Sequence, residues 1–149
     1  MKNILFVLFA GIVLVSCSKA PQQTEELSAE AITDGVLIHI TEGYEDPHRV
    51  LMPLKMAVLM SDDKDVLVYM DIEAVKFLVT GADDIEHEEF ESAHTYIKQL
   101  SERNVGLYAC PSCLKVAGLN PDDLMDGVQV AQKDKFFNFT KGRIISLDY

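Results

Sequence analysis

The chain has 149 residues, with 24 acidic against 13 basic side chains and a net charge of −11 at pH 7. So acidic a surface repels phosphate backbones, and no nucleic-acid partner is expected. The length suits one domain with a proper core.

One basic residue, Lys2, precedes an unbroken apolar run from Ile4 to Val15. The run is short for a bilayer span and reads as a signal-peptide core. It ends in Leu14-Val15-Ser16-Cys17, which resembles a bacterial lipobox with Cys17 as the lipid-bearing residue. Three segments are therefore expected: a lipoprotein signal peptide over 1–16, a lipidated Cys17 with a flexible polar tether to 33, and a folded domain over 34–149. The expected location is the cell envelope, where dithiols tend to oxidise. Ser18 rather than Asp follows Cys17, which by the usual sorting pattern favours the outer membrane, facing the periplasm or the surface. The membrane partner is reached through the lipid, because the acidic domain repels anionic headgroups.

Gly35 to Thr41 is an apolar run that predicts a strand buried on both faces. A loop over Glu42–Pro47 leads into a helix that Asp46-Pro47 should cap and that should run to about Met60. Pro53 inside it predicts a kink or a late start. Met52, Met56 and Met60 share one face; such a stripe reads as core filling rather than as a soft-metal site. Asp65–Met70 is a second strand, followed by a short helix to Val79. An acidic loop containing His87 leads to a helix over Glu88–Arg103, whose buried stripe is Phe90, Ala93, Ile97 and Leu100. Val105–Ala109 is a third strand and Val128–Val130 a fourth. A helix is expected over Ala131–Lys141 and a last strand over Arg143–Leu147. One helix cannot turn Phe136, Phe137 and Phe139 all inward, so at least one ring should be exposed. The alternation predicts a three-layer α/β/α fold with a mainly parallel sheet of about five strands.

The chemistry concentrates in Cys110-Pro111-Ser112-Cys113, between the third strand and a helix ending near Gly118. Pro111 suits the first helical position. Cys110 then falls at the N-cap and Cys113 near N3, where free N–H groups and the helix dipole favour a thiolate. His48 and Glu42 are candidate supporting residues, since the carboxyl ends of parallel strands gather functional groups. His39, inside the first strand, reads as a packed, hydrogen-bonded core histidine. Three readings stay open: thiol or sulfur chemistry with Cys110 as nucleophile and Cys113 as resolving thiol, a zinc or copper site using Cys110, Cys113 and His48, and a structural disulfide. A C-x-x-C loop is short and strained for a purely stabilising role. The cysteines come too late in the chain for a thioredoxin fold.

Taken together, the first strand with its acid-Pro loop, Val66-Leu67-Val68-Tyr69, and Val105-Gly106-Leu107-Tyr108-Ala109-Cys110 followed by Leu114 and Gly118 resemble the DsrE/DsrF-like family of sulfur-relay proteins. The resemblance covers about Asp34 to Leu147. It implies that Cys110 accepts a sulfane sulfur as a persulfide. It also implies a thiol or sulfur donor or acceptor protein as partner, no cofactor, and a homo-oligomer, with trimer or hexamer ahead of dimer. Sulfur carriage and thiol–disulfide exchange are the activities it suggests. Cys113 is an extra cysteine that a simple carrier does not need.

Overall fold

A computed structural model describes residues 32–149; the segment expected to be a signal peptide, Cys17 and the expected tether up to residue 31 lie outside the described residues. Five strands form one sheet: β1 (Gly35–Ile40), β2 (Asp65–Met70), β3 (Gly106–Ala109), β4 (Val128–Val130) and β5 (Ile144–Asp148). Their spatial order is β4-β3-β2-β1-β5, and every pairing is parallel. The first three crossovers carry α1 (Pro47–Met60), α2 (Ala93–Glu102) and α3 (Pro111–Ala117). All three step the same way across the sheet, so right-handed connections put their helices on one face. The fourth crossover returns to the far edge and carries α4 (Lys135–Asn138) on the other face. The three-layer parallel architecture is thus as expected.

Parallel strands alternate their side chains between these faces. Towards α1 and α2 point Val36, Ile38, Ile40, Val66, Val68, Met70, Leu107 and Ala109, all buried in one cluster with Leu51, Leu54, Ile97, Leu100 and Leu114. Towards α4 point Leu37, His39, Tyr69 and Tyr108, and here Leu37, His39 and Tyr69 stay half-exposed. β1 is therefore buried on one face only, not on both, because α4 spans just four residues and cannot cover the whole layer.

Several expected elements come out shorter, each for a local reason. α2 begins at Ala93 rather than Glu88, because the Ser92 hydroxyl caps it by accepting the Thr95 N–H at 3.4 Å. The helix expected up to Val79 is a single 3-10 turn over Ala74–Phe77, since Ile72 stands at φ 49° and cannot open a right-handed helix. The helix expected over Ala131–Lys141 shrinks to α4, which has no side-chain cap. The Phe136 ring sits edge-on to Tyr69 at 5.0 Å, while the Phe139 ring lies over Gly35. α1 is unbroken at a buried Pro53, and its other buried positions are Val50, Leu51, Leu54 and Ala57. The methionine stripe does not fill the core: Met52 is exposed, and Met56 and Met60 are half-buried. Phe137 is the exposed ring, at 70%. Among the described residues no helix is long and apolar enough to cross a membrane.

The edge strand β5 is held at its start by Asp34. Its carboxylate accepts the Arg143 N–H at 3.0 Å and pairs with the Arg143 guanidinium. That pairing holds the Asp34 carboxyl below its ordinary pKa.

Candidate functional site

Cys110 follows β3 without a loop. Its N–H still bonds the Met70 carbonyl at 2.9 Å, so the β2–β3 ladder fixes the residue's position. Its backbone is extended (φ −66°, ψ 119°), and it is the N-cap of α3. Pro111 takes the first helical position, and the Cys110 Sγ accepts the Cys113 N–H at 3.4 Å. Gly118 closes α3 in the left-handed conformation at φ 71°. Both cysteines are half-buried free thiols. α3 has only seven residues, so direct donors count for more here than its dipole.

Tyr69 supplies one such donor. Register sets His39, Tyr69 and Tyr108 side by side across three strands, on the face that Cys110 shares. Burial raises the Tyr69 phenol pKa first, and its hydrogen bond to Cys110 and the nearby Asp71 charge raise it further. Tyr69 therefore remains protonated and can donate to a Cys110 thiolate. Burial also pushes the Cys110 thiol up. The Tyr69 hydroxyl, the Cys113 thiol and the N–H groups of Cys113 and Ser112 outweigh this and hold it below its ordinary value. Cys113 moves the other way. Its bond to the Cys110 sulfur raises it most, burial adds to this, and the Ile72 N–H opposes. The two thiols are thus unequal: Cys110 ionises more readily than Cys113.

Ile72 explains part of that arrangement. A β-branched residue at positive φ is a strained outlier, and here its N–H opposes the rise of the Cys113 thiol pKa. Its side chain is 57% exposed. With Val116, Lys76, Ser112 and Cys113 it lines an open cavity of about 370 Å³. Cys113 therefore faces a space that a small molecule can reach.

Behind Tyr69 lies His39, stacked on its ring at 5.3 Å. His39 Nδ1 is 3.1 Å from Asp148, and Nε2 is 3.0 Å from Asp71. The second pair is close but misaligned: both of its atoms are shut off from solvent, and neither completes a directional hydrogen bond. His39 is hydrogen-bonded as expected but is half-exposed and not part of the core, because it points to the thinly covered face that carries the site.

His48 and Glu42 sit elsewhere. His48 stacks on His87 at 6.0 Å and lies 5.3 Å from Phe90, and Glu42 reaches Arg49 at 3.9 Å. These contacts lie at the start of α1, and among the described residues neither side chain hydrogen-bonds to a cysteine. Nor do the described residues gather three or more His, Cys, Asp or Glu side chains into a cluster able to hold a metal. The Cys110–Cys113–His48 ligand set is therefore not assembled, because His48 is turned onto His87 and Phe90. Tyr69, Asp71, Ile72 and His39 are the neighbours that sequence reasoning missed. Only the strand register could have placed Tyr69 beside Cys110.

The fold and site define an all-parallel α/β protein with an unequal thiol pair at the carboxyl edge of its sheet. The chain belongs to the DsrE/DsrF-like family, which it matches over residues 34–142. Its fold is similar to that of the ychN protein from E. coli, with TM-score 0.64 and 17% identity over 78% of this chain and 99% of that one. It is also similar to MTH1491, a protein of unknown function from Methanobacterium thermoautotrophicum, with TM-score 0.56 and 22% identity over 76% of this chain and 98% of that one. No curated protein matches it. Membership supports a sulfur-relay type of role at the level of the family.

Proposed function

We propose that this protein is an envelope lipoprotein that carries sulfane sulfur on Cys110. The observation behind it is Cys110 at the N-cap of α3 with its sulfur accepting the Cys113 N–H at 3.4 Å, and Tyr69 helps to hold the thiol below its ordinary pKa. A thiolate so stabilised attacks the outer sulfur of a donor persulfide. The donor's S–S bond breaks, the donor leaves as a thiolate, and Cys110 becomes the persulfide. No net oxidation occurs, and no cofactor is required. The donor or acceptor is a thiol-bearing protein or small molecule.

Cys17 carries the lipid, and 18–33 is the tether to the membrane. This rests on the lipobox-like Leu14-Val15-Ser16-Cys17. Fatty-acid labelling should be lost in Cys17→Ser; labelling that survives would remove the anchor. A homo-oligomer accompanies this reading, supported by the exposed Phe137 ring and by the exposed Ile144 and Ile145 of β5. The carrier role is tested by mass spectrometry of the Cys110 peptide from a Cys113→Ser variant isolated without reductant, in which no second thiol can discharge the sulfur. An added sulfur on Cys110 is expected. A Cys110 that neither bears sulfur nor takes it from an organic persulfide would end the reading.

A further inference from the structure

Beyond carrying sulfur, the geometry points to its reductive release: we propose that Cys113 resolves the Cys110 persulfide, forming a Cys110–Cys113 disulfide and freeing hydrogen sulfide. This rests on the carrier reading and adds to it an intramolecular step that a single-cysteine carrier cannot perform.

The placement of Cys113 carries the argument. Its own N–H is bonded to the Cys110 Sγ, so its backbone is already fixed against the sulfur that must be attacked. The two cysteines stand three residues apart at a helix start, a separation that a disulfide's Cα–Cα span of about 4.4–6.8 Å accommodates. Both are free thiols, so the pair is poised in its reduced form. The cavity beside Ile72 and Val116 opens on Cys113 and gives a small product a way out.

The step balances within the protein. The Cys113 sulfur attacks the Cys110 Sγ, and the bond between Sγ and the outer sulfur breaks. The outer sulfur leaves as hydrosulfide and takes up the proton that Cys113 gives up. Sulfane sulfur gains two electrons, and the two cysteines lose them. If the outer sulfur first passes to Cys113, the Cys110 thiolate expels it from there with the same products. One turnover needs no other reagent; a second needs an external dithiol to reduce the disulfide.

Cys113 is half-buried with its side chain at the cavity wall, so serine fits in its place. The test uses the full-length chain, reduced and held in detergent, with glutathione persulfide as donor. A Cys110→Ser variant sets the background. The wild type should release sulfide in step with loading, and its Cys110–Cys113 peptide should become lighter by two hydrogens. Cys113→Ser should lose sulfide release and keep one extra sulfur on Cys110, which also shows that the variant is folded and reactive. A wild type that accumulates the Cys110 persulfide without sulfide overturns the inference and leaves the carrier role standing. So does a Cys113→Ser variant that releases sulfide as fast as the wild type. A Cys113→Ser variant whose Cys110 takes no sulfur brings down the carrier reading itself, and this inference with it.

Discussion

The two faces of the sheet are built from the same strands and serve different ends. Towards α1 and α2, alternate residues from Val36 to Ala109 disappear into a closed apolar layer with no buried polar side chain. Towards α4, the intervening residues His39, Tyr69 and Tyr108 form a row that is only partly covered, and Cys110 continues it beyond β3. A closed face stabilises the fold through burial. A half-open one keeps hydroxyl, imidazole and thiol groups near water and near each other, where their proton affinities can be tuned. A single period-two alternation therefore separates folding from chemistry.

The largest effect should come from the closed face. Leu54 is fully buried under the sheet. Leu54→Ala should cost about 2–5 kcal/mol of stability, measured by denaturant unfolding. The alkylation rate of Cys110 in the surviving native protein should stay the same. A loss of reactivity without a loss of stability would break the division between faces.

On the open face the pattern should reverse. Tyr69→Phe removes one hydroxyl and should cost only about 0.5–1.5 kcal/mol. It also removes a donor to the Cys110 thiolate, so the Cys110 pKa should rise back towards the ordinary 9.0. Thiol alkylation increases with pH as the thiolate forms. Its midpoint should lie below 9.0 in the wild type and move upward in Tyr69→Phe, slowing the reaction at neutral pH. The same depressed pKa links to stability with a definite sign. Cys110 stabilises the fold above its unfolded value, and that contribution is lost as pH falls through the lowered folded value. Identical alkylation profiles in the two proteins would show that Tyr69 is mere packing.

The smallest effect on folding should come from Phe137, which is largely exposed. Phe137→Ser should change monomer stability by no more than about 0.5 kcal/mol. It should nevertheless lower the particle mass seen by light scattering of the full chain in detergent, if the exposed ring is a subunit contact. An unchanged mass would take Phe137 out of the interface.

The parallel α/β class, the Asp46 and Cys110 caps and the glycine stop at Gly118 were all visible in the sequence. Each depends on neighbours within a few residues: an apolar run between turn signals, an acid before a proline, a glycine free to adopt positive φ. The expected helices over Glu88–Arg103 and Ala131–Lys141 overran because hydrophobic residues there are spent on tertiary contacts. Phe136 and Phe139 anchor to different strands and so cannot lie along one helical stripe. At the site, the sequence identified Cys110 and Cys113, since a C-P-x-C turn at a strand end is a local pattern. It could not find Tyr69, which lies 41 residues earlier and meets Cys110 only through the pairing of β2 with β3. It chose His48 over His39, because strand order was needed to know that β1 lies next to β2 and that α1 carries His48 away towards His87. Local chemistry sets which residues can react; the order of strands in the sheet decides which groups stand beside them.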